Sequence, residues 1–176
     1  MEYGYEATTI EAIASRVGLL KGSLYYYVHN KADLFYEISI RSLRHHLSAL
    51  EEDPKIARGD ATSRLSQFID QYMTQIDRSC GWNATLEREL RFLNPEQLAS
   101  IDSVRVQIHA LLKTIVTQGI AEGAFHCSTD PSVAANAILS LLHPPLGWLQ
   151  APDKRSSLAI RRRWYKAFIV KGLAPT

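Results

Sequence analysis

Apolar residues recur at helical spacing along most of the chain. Near the N-terminus, Ile10, Ile13, Ala14 and Val17 follow the i, i+3, i+4, i+7 pattern that places apolar side chains on one face of a helix. No segment of the sequence shows the sustained alternation of apolar and polar residues that is typical of a half-buried strand. The pattern therefore predicts an all-α protein.

Start and stop signals place three helices in the N-terminal part of the chain. Thr8 or Thr9 is expected to cap the first of these helices and Gly18 to end it. A short second helix follows at about 21–28. Asn30 is the expected cap of a long third helix, which the polar segment "EEDPKIARGD" interrupts.

The rest of the chain predicts five further helices. Pro95 and Pro131 each follow a typical N-cap residue, and Gly123 is a typical helix stop. We therefore expect a small N-terminal head, residues 1–48, joined through its last helix to a larger all-helical body, residues 49–176. The predicted helices of the body span about 61–79, 83–93, 95–122, 130–149 and 156–173.

Composition excludes several classes of protein. The chain has 176 residues, of which 46% are hydrophobic, enough for one substantial core. No apolar run approaches the ~18 residues of a membrane span, and the N-terminus lacks the pattern of a signal peptide, so we expect no membrane partner. The two cysteines, Cys80 and Cys127, are too few for a disulfide framework and favour a reduced, cytoplasmic location.

The spacing of Ala14, Gly18, Leu19 and Leu24 is that of a helix-turn-helix. A small residue lets two helices approach, glycine permits the positive φ of a tight turn, and the leucines pack the second helix on the first. Such a second helix enters the major groove of DNA. The alternative from spacing alone is an ordinary helical hairpin with a partly buried aromatic cluster.

Three consecutive tyrosines, Tyr25 to Tyr27, favour the DNA-binding interpretation. A tyrosine ring packs against sugar edges and thymine methyl groups while its hydroxyl donates to a phosphate. Lys31, at the start of the next helix, adds a cation close to backbone amides that attract phosphate. The head as a whole is electrically neutral, because residues 1–50 hold five basic and five acidic side chains.

The segment "GYEATTIEAIASRVGLLKGSLYYYVHNKADLFYEI" resembles the DNA-binding signature of the tetracycline-repressor (TetR-like) family of bacterial regulators. The match is almost continuous from Tyr3 to Ile38. The resemblance implies an all-α homodimer that places paired heads on a double-stranded DNA operator. It also implies a body whose small-molecule effector alters the spacing of the heads.

The resemblance assigns seven DNA-contacting positions. Three occupy positions that usually contact phosphates, and four occupy positions that usually face bases or the backbone. They are, in that order, Thr9, Tyr25 and Lys31, and Lys21, Ser23, Tyr26 and Tyr27.

The sequence departs from the family pattern at three places. Leu20 stands where a small polar residue is common, and Val28 stands where phenylalanine is usual. The family also has a whole helix before the Gly-Tyr pair, here Gly4 and Tyr5, whereas few residues precede that pair in this chain. We expect either that the natural chain starts further upstream or that the head is loosened and binds DNA poorly.

For the body, the resemblance implies an effector cavity among the helices near 61–79, 83–93 and 95–122. Its candidate lining residues are mainly apolar and aromatic, which favours an apolar effector. The alternative for each is plain core. The candidates are Phe68, Tyr72, Ile76, Trp82, Leu86, Phe92, Val104, Ile108, Leu111 and Trp148.

The last two helices are implied to form the dimer, and their sequences favour this independently. "PSVAANAILSLLHPPLGWL" is apolar on most sides with small residues that permit close helix approach, and "WYKAFIVKGL" carries a second apolar stripe. The alternative is intrachain core. The candidate interface residues are Ala134, Ile138, Leu141, Leu142, Trp164, Phe168, Ile169 and Leu173.

No catalytic, metal or cofactor site is predicted. Glu87 and Glu89 lie two apart on one helix and point in different directions, so Glu87 is expected to pair with Arg91 on a solvated face or to line a pocket. The histidines are too widely spaced for a metal site. The basic C-terminal helix indicates a solvated face, an anionic effector or an acidic partner.

Two functional hypotheses follow. The first is a ligand-responsive transcriptional regulator, a repressor released from a palindromic operator by a hydrophobic or acyl-thioester-type molecule. The alternative is a dimeric ligand-binding or interaction protein whose head is incomplete and does not bind DNA. An enzyme is not expected, because no motif pairs a nucleophile with a base.

Overall fold

The computed structural model describes residues 4–78, 82–126, 130–143 and 154–174. Within these ranges every regular element is helical, which confirms the predicted all-α fold. The helices are α1 (Gly4–Ala7), α2 (Ile10–Arg16), α3 (Lys21–Tyr27), α4 (Lys31–Glu51), α5 (Pro54–Ala57), α6 (Ala61–Arg78), α7 (Trp82–Glu89), α8 (Pro95–Ala121), α9 (Pro131–Leu142) and α10 (Lys154–Leu173).

The turn between α2 and α3 forms as the glycine predicts. The Thr9 side chain accepts a hydrogen bond from the Ala12 N–H at the start of α2. Gly18 has a φ of 71°, and the Leu19 N–H donates to the Ala14 carbonyl at 2.9 Å. This is a Schellman turn, which only a residue that tolerates positive φ closes without strain. It lets α2 and α3 pack against each other.

Helix α4 connects the head to the body. The Asn30 side chain caps it by accepting from the Asp33 N–H at 2.9 Å, as predicted. Phe35, near its start, and Leu47 and Leu50, near its end, are all buried in one continuous core. Helix α4 packs against α6 and α8. The same helix therefore carries the head and lines the body.

Helices α6 and α8 form the centre of the body. Leu65, Phe68 and Ile69 of α6 and Leu112 and Ile115 of α8 are fully buried. These positions repeat every three to four residues, so each helix presents one apolar face to the core. The predicted helices at 61–79 and 95–122 are confirmed to within a residue at each end.

Other predicted boundaries differ in informative ways. The predicted helix 83–93 is α7 followed by a single 3-10 turn, Leu90–Phe92. The predicted helix 130–149 corresponds to α9, which ends at Leu142 with His143 as its C-cap, and residues 144–149 lie outside the described residues. The segment "EEDPKIARGD" interrupts the long helix as predicted, and it also contains the short helix α5, which was not predicted.

Asp53 explains why α5 forms. It accepts from the Lys55 N–H at 2.8 Å and from the side-chain amides of Gln67 and Gln71 on α6, each at 2.8 Å. Burial raises the pKa of Asp53, but the hydrogen bonds from Gln71, Gln67 and the backbone outweigh this and hold the pKa below its usual value. One carboxylate therefore caps α5 and fastens it to α6.

Helix α10 is held against α6 by charge. Arg162 donates to Asp77 at 3.0 Å, and Lys166 donates to Asp70 at 2.6 Å. The basic C-terminal helix was predicted to be solvated or to meet an anionic ligand or partner. For these two cations the structure instead shows intrachain partners, which lie 85 and 96 positions away in sequence. None of the described helices combines the length and apolarity needed to cross a bilayer.

Candidate DNA-binding head and effector cavity

The outer face of α3 presents aromatic side chains to solvent. Tyr26 is 83% exposed and Tyr25 39% exposed, whereas Val28, immediately after the helix, is buried. Leu20 occupies the N-cap position of α3, where its side chain makes no capping hydrogen bond, and it is 80% exposed. Val28 thus packs inward, and Tyr25 and Tyr26 face outward as DNA contact requires. Their role in DNA contact stays a prediction.

The other predicted DNA-contacting residues differ in their surroundings. Thr9 is exposed, and its hydroxyl oxygen already caps α2. Ser23 is exposed on α3. The side chains of Lys21 and Tyr27 lie outside the described part of the structure.

Lys31 has a structural contact that the sequence did not indicate. Its Nζ donates to the Tyr5 carbonyl oxygen at 2.8 Å and lies 4.4 Å from the centroid of the Tyr5 ring. The Tyr5 ring in turn contacts Phe35 edge-on at 5.3 Å and stacks on Phe92 at 5.0 Å. Lys31 therefore helps to hold α1 against α4, and its predicted phosphate contact stays a prediction.

A cavity of about 510 Å³ lies in the body, within the size range of small-molecule sites. It is bounded by five helices: α4, α6, α7, α8 and α9. The residues that line it are Leu43, His46, Tyr72, Leu86, Glu87, Arg105, Ile108, Asn136, Leu139, Ser140 and His143.

Three of the ten predicted ligand-binding residues, Tyr72, Leu86 and Ile108, line this cavity. Phe92 lies instead at the junction of head and body, against Tyr5. The Trp82 side chain and Trp148 are outside the described residues. The others do not line the cavity: Phe68, Ile76 and Val104 are buried in the core, and Leu111 is partly buried against it.

The polar wall of the cavity was predicted only in part. Glu87, expected on a solvated face or lining a pocket, lines the cavity, and it pairs with Arg105 of α8 rather than with the expected Arg91. Asn136 and Ser140 of α9 also contribute. Helical spacing revealed the apolar faces, but the ion pair joins residues 18 positions apart on different helices, which no local pattern records.

Three aromatic rings meet at this wall: those of His46 on α4, Tyr72 on α6 and His143 at the end of α9. The ring centroids of His46 and Tyr72 are 4.8 Å apart, and those of Tyr72 and His143 are 5.7 Å apart. Burial, with smaller contributions from His143 and His45, lowers the pKa of His46 to about 4. Burial raises the pKa of Tyr72, with Arg105 opposing and Glu87 adding to the rise. The His46 imidazole and the Tyr72 phenol are therefore uncharged at neutral pH.

The predicted dimer residues fall into two groups. Ala134, Ile138, Leu142 and Ile169 are buried within the chain itself, and Leu173 is partly buried. The exposed members are Leu141, Trp164 and Phe168. The rings of Trp164 and Phe168 stack at 5.0 Å on the surface of α10. These three exposed side chains are the predicted dimer residues that remain accessible to a second copy of the chain, and their role in dimerisation stays a prediction.

Among the described residues, no group of three or more histidine, cysteine, aspartate or glutamate side chains is arranged to hold a metal ion. The chemistry that the described site offers is hydrogen bonding and apolar contact around the cavity.

Comparison with known proteins covers both parts of the chain. Residues 1–38 match the family described as "Bacterial regulatory proteins, tetR family", and residues 58–169 match "Tetracyclin repressor-like, C-terminal domain". The first match spans the helix-turn-helix, and the second spans four of the five helices that bound the cavity, α6 to α9.

Similar proteins agree with this assignment. The "Fatty acid metabolism regulator protein" of Bacillus subtilis (strain 168) is 23% identical over 160 residues, which is 90% of this chain and 82% of that protein. The crystal structure of the TetR family transcriptional regulator PfmR from Thermus thermophilus superimposes with a TM-score of 0.83 at 26% identity, over 99% of this chain and 93% of that one.

A third likeness concerns the fold. The structure of the transcriptional regulator FadR from Bacillus subtilis, in complex with stearoyl-CoA, has a TM-score of 0.75 at 22% identity and covers 98% of this chain and 92% of that one. The proteins and families matched are regulators rather than enzymes. Because family patterns match both the head and most of the body, the chain belongs to the TetR family of DNA-binding transcriptional regulators.

Proposed function

We propose that this chain is a repressor that binds a palindromic operator as a homodimer and is released when a molecule with an apolar chain occupies the cavity. The cavity offers the apolar part of such an effector an apolar wall, which is formed by Leu43, Leu86, Ile108 and Leu139. The fatty acid regulator among its relatives, and the stearoyl-CoA in the FadR structure, support an effector of this kind.

The observation that carries this proposal is the course of α4. Its N-terminus, capped by Asn30, directly follows the DNA-facing segment, and its C-terminal half supplies Leu43 and His46 to the cavity wall. An effector that favours one position of α4 therefore favours one position of the head. If that position misfits the operator, binding shifts the population away from the DNA-bound form.

The exposed apolar side chains of α9 and α10 support a dimer. Trp164 and Phe168 are each more than half exposed, and Leu141 is 41% exposed. Large apolar side chains grouped on the surface mark interaction sites. A twofold contact through these helices would carry two heads, whose half-sites we expect to lie ~10 bp apart or somewhat more.

The DNA-binding part is tested by selection of duplexes from a random pool, followed by titration of the enriched duplex. We expect a palindromic site and expect Tyr26→Ala to weaken binding at least about tenfold, because each of two heads loses the ring's contact with DNA, and burial of roughly 40 Å² of apolar surface is worth about 1 kcal/mol. Tyr26 suits this test because its ring contributes little to the core. Lys31→Ala suits it less, since it would also loosen α1.

Lys113→Ala serves as the matched control, since Lys113 is an exposed cation on α8, away from the head. Both variants should remain dimers in sedimentation experiments. A pool without an enriched sequence, or Tyr26→Ala with undiminished affinity, would refute the proposed role of the head.

A further inference from the structure

One buried nitrogen in the cavity wall has no partner. His46 is only 6% exposed, and its Nε2 has no hydrogen-bond partner within the described structure. Buried polar atoms are nearly always hydrogen-bonded, so an orphan of this kind in a cavity wall points to a ligand atom. The residue lies on α4, the helix that carries the head.

The neighbouring tyrosine also has a hydroxyl proton to give. The Tyr72 hydroxyl lies 3.3 Å from His143 Nδ1, and that nitrogen lies 3.0 Å from the Leu139 carbonyl oxygen. A carbonyl oxygen only accepts, so the tautomer of His143 in which Nδ1 donates to Leu139 cannot accept the Tyr72 proton at that nitrogen. The other ring nitrogen of His143 is 3.5 Å away, the outer limit of a hydrogen bond. In this tautomer the phenol proton is available to a ligand.

The charges of the wall already cancel. Arg105 is paired with Glu87, and its second contact is Asp102 at 3.6 Å. His46 is neutral at pH 7, because burial and the neighbouring histidines, His143 and His45, disfavour its charged form. A carboxylate entering this wall would have to compete with Glu87 for the arginine and would lose its own hydration. An uncharged acceptor would meet neither cost.

We propose that the effector presents an uncharged carbonyl oxygen, as in an ester, thioester or ketone, which accepts hydrogen bonds from the Tyr72 hydroxyl and from His46 Nε2–H. This deepens the proposed function and rests on it. The apolar chain then lies along the leucines and the isoleucine of the wall. Since His46 belongs to α4, the same bond that selects the carbonyl also fixes the helix that positions the head.

The test is isothermal titration calorimetry at pH 7.5 with two probes of equal chain length, methyl octanoate and sodium octanoate. We expect the ester to bind at least tenfold more tightly than the anion. Tyr72→Phe, which removes a single oxygen atom, and His46→Leu should each weaken the ester about tenfold and change the binding of octanoate less than threefold.

Matched controls are available on α4. Tyr36→Phe removes a hydroxyl outside the cavity, and His45→Leu removes the exposed neighbour of His46; both should keep the preference for the ester. Thermal unfolding shows whether each variant is folded. Tyr72→Phe keeps the ring and its packing, so it decides the matter even if His46→Leu fails to fold.

The possible failures are distinguishable. If both probes bind but octanoate binds as tightly as the ester, or if Tyr72→Phe leaves the ratio of the two affinities unchanged, the carbonyl subsite is wrong while the cavity remains an effector site. If neither probe binds, the cavity does not take apolar chains, and the proposed effector class is overturned together with the subsite.

Discussion

At the scale of the residue, His46 is a buried titratable group in the wall of the cavity, and its pKa is lowered. An imidazole normally gains a proton near pH 6.5, but burial keeps this one neutral until about pH 4. The folded protein therefore binds fewer protons than the unfolded chain between these two values. His45, next to it in sequence, is exposed.

This difference predicts a stability that depends on pH. The contribution of His46 is fully present above pH 6.5, the unfolded value, and declines by ~1.4 kcal/mol per pH unit as the pH falls toward 4. Between pH 7 and pH 5 the wild type should lose about 2 kcal/mol through this residue. His46→Leu should lack that loss. Urea unfolding should therefore show the free energy of unfolding of the variant, measured relative to that of the wild type, rising by about 2 kcal/mol from pH 7 to pH 5.

His45→Leu is the control for this measurement, and it should follow the wild-type pH profile. The interpretation fails if His46→Leu and the wild type lose stability in parallel between pH 7 and pH 5. In that case the buried ring would not be the group whose pKa differs between the folded and unfolded states.

At the scale of the element, caps and glycines set where the helices begin and end. Gly123, with a φ of 70°, ends α8 in a Schellman turn that returns the Ala124 N–H to the Gly119 carbonyl at 2.8 Å. Phe125 then packs directly on Gly119, where a Cβ would overlap its ring. The His126 N–H donates to the Leu173 carbonyl at 2.7 Å and so joins the ends of α8 and α10.

Asp53 supports a prediction at this scale. Asp53→Ala should lower the free energy of unfolding by about 2–3 kcal/mol, because it removes the cap of α5 and leaves the Gln67 and Gln71 amides without their acceptor. Asp60→Ala is the matched comparison, since Asp60 accepts only local bonds from Ser63 at the start of α6. We expect the loss of that exposed cap to lower the free energy of unfolding by less than the loss of Asp53 does. Chemical denaturation measures both, and equal losses would contradict a bracing role for Asp53.

The sequence allowed these elements to be predicted to very different degrees. Thr9, Gly18, Asn30 and Gly123 carry their signals locally, so the helix ends they define were predicted correctly. The short helix α5 was missed although Asp53 and Pro54 form a local start signal, because four residues are too few to show helical apolar periodicity.

The candidate site shows the same limit. The family resemblance pointed to the helices that carry Tyr72, Leu86 and Ile108, but the apolar pattern did not separate cavity lining from filled core at Phe68 or Val104. The polar wall depends on where α4, α7, α8 and α9 meet. Such contacts are set by packing rather than by spacing along the chain, so they became visible only in the structure.

At the scale of the whole molecule, one helix runs from the head to the cavity. The head and the body share a core that includes Phe35 at one end of α4 and Leu50 at the other. Tyr5 adds a second link, because its ring stacks on Phe92, just after α7, and its carbonyl oxygen accepts a hydrogen bond from Lys31. We therefore expect a change in the cavity wall at α4 or α7 to reach the head by two routes.

The most direct test of this coupling is to titrate the selected operator duplex with the protein, with and without saturating methyl octanoate, and to follow the fluorescence anisotropy of the labelled DNA. Calorimetry on the same sample shows that the cavity is occupied. We predict that occupancy weakens operator binding at least tenfold in the wild type. An operator affinity that stays the same with the cavity demonstrably filled would contradict the claim that α4 transmits the state of the cavity to the DNA-binding head.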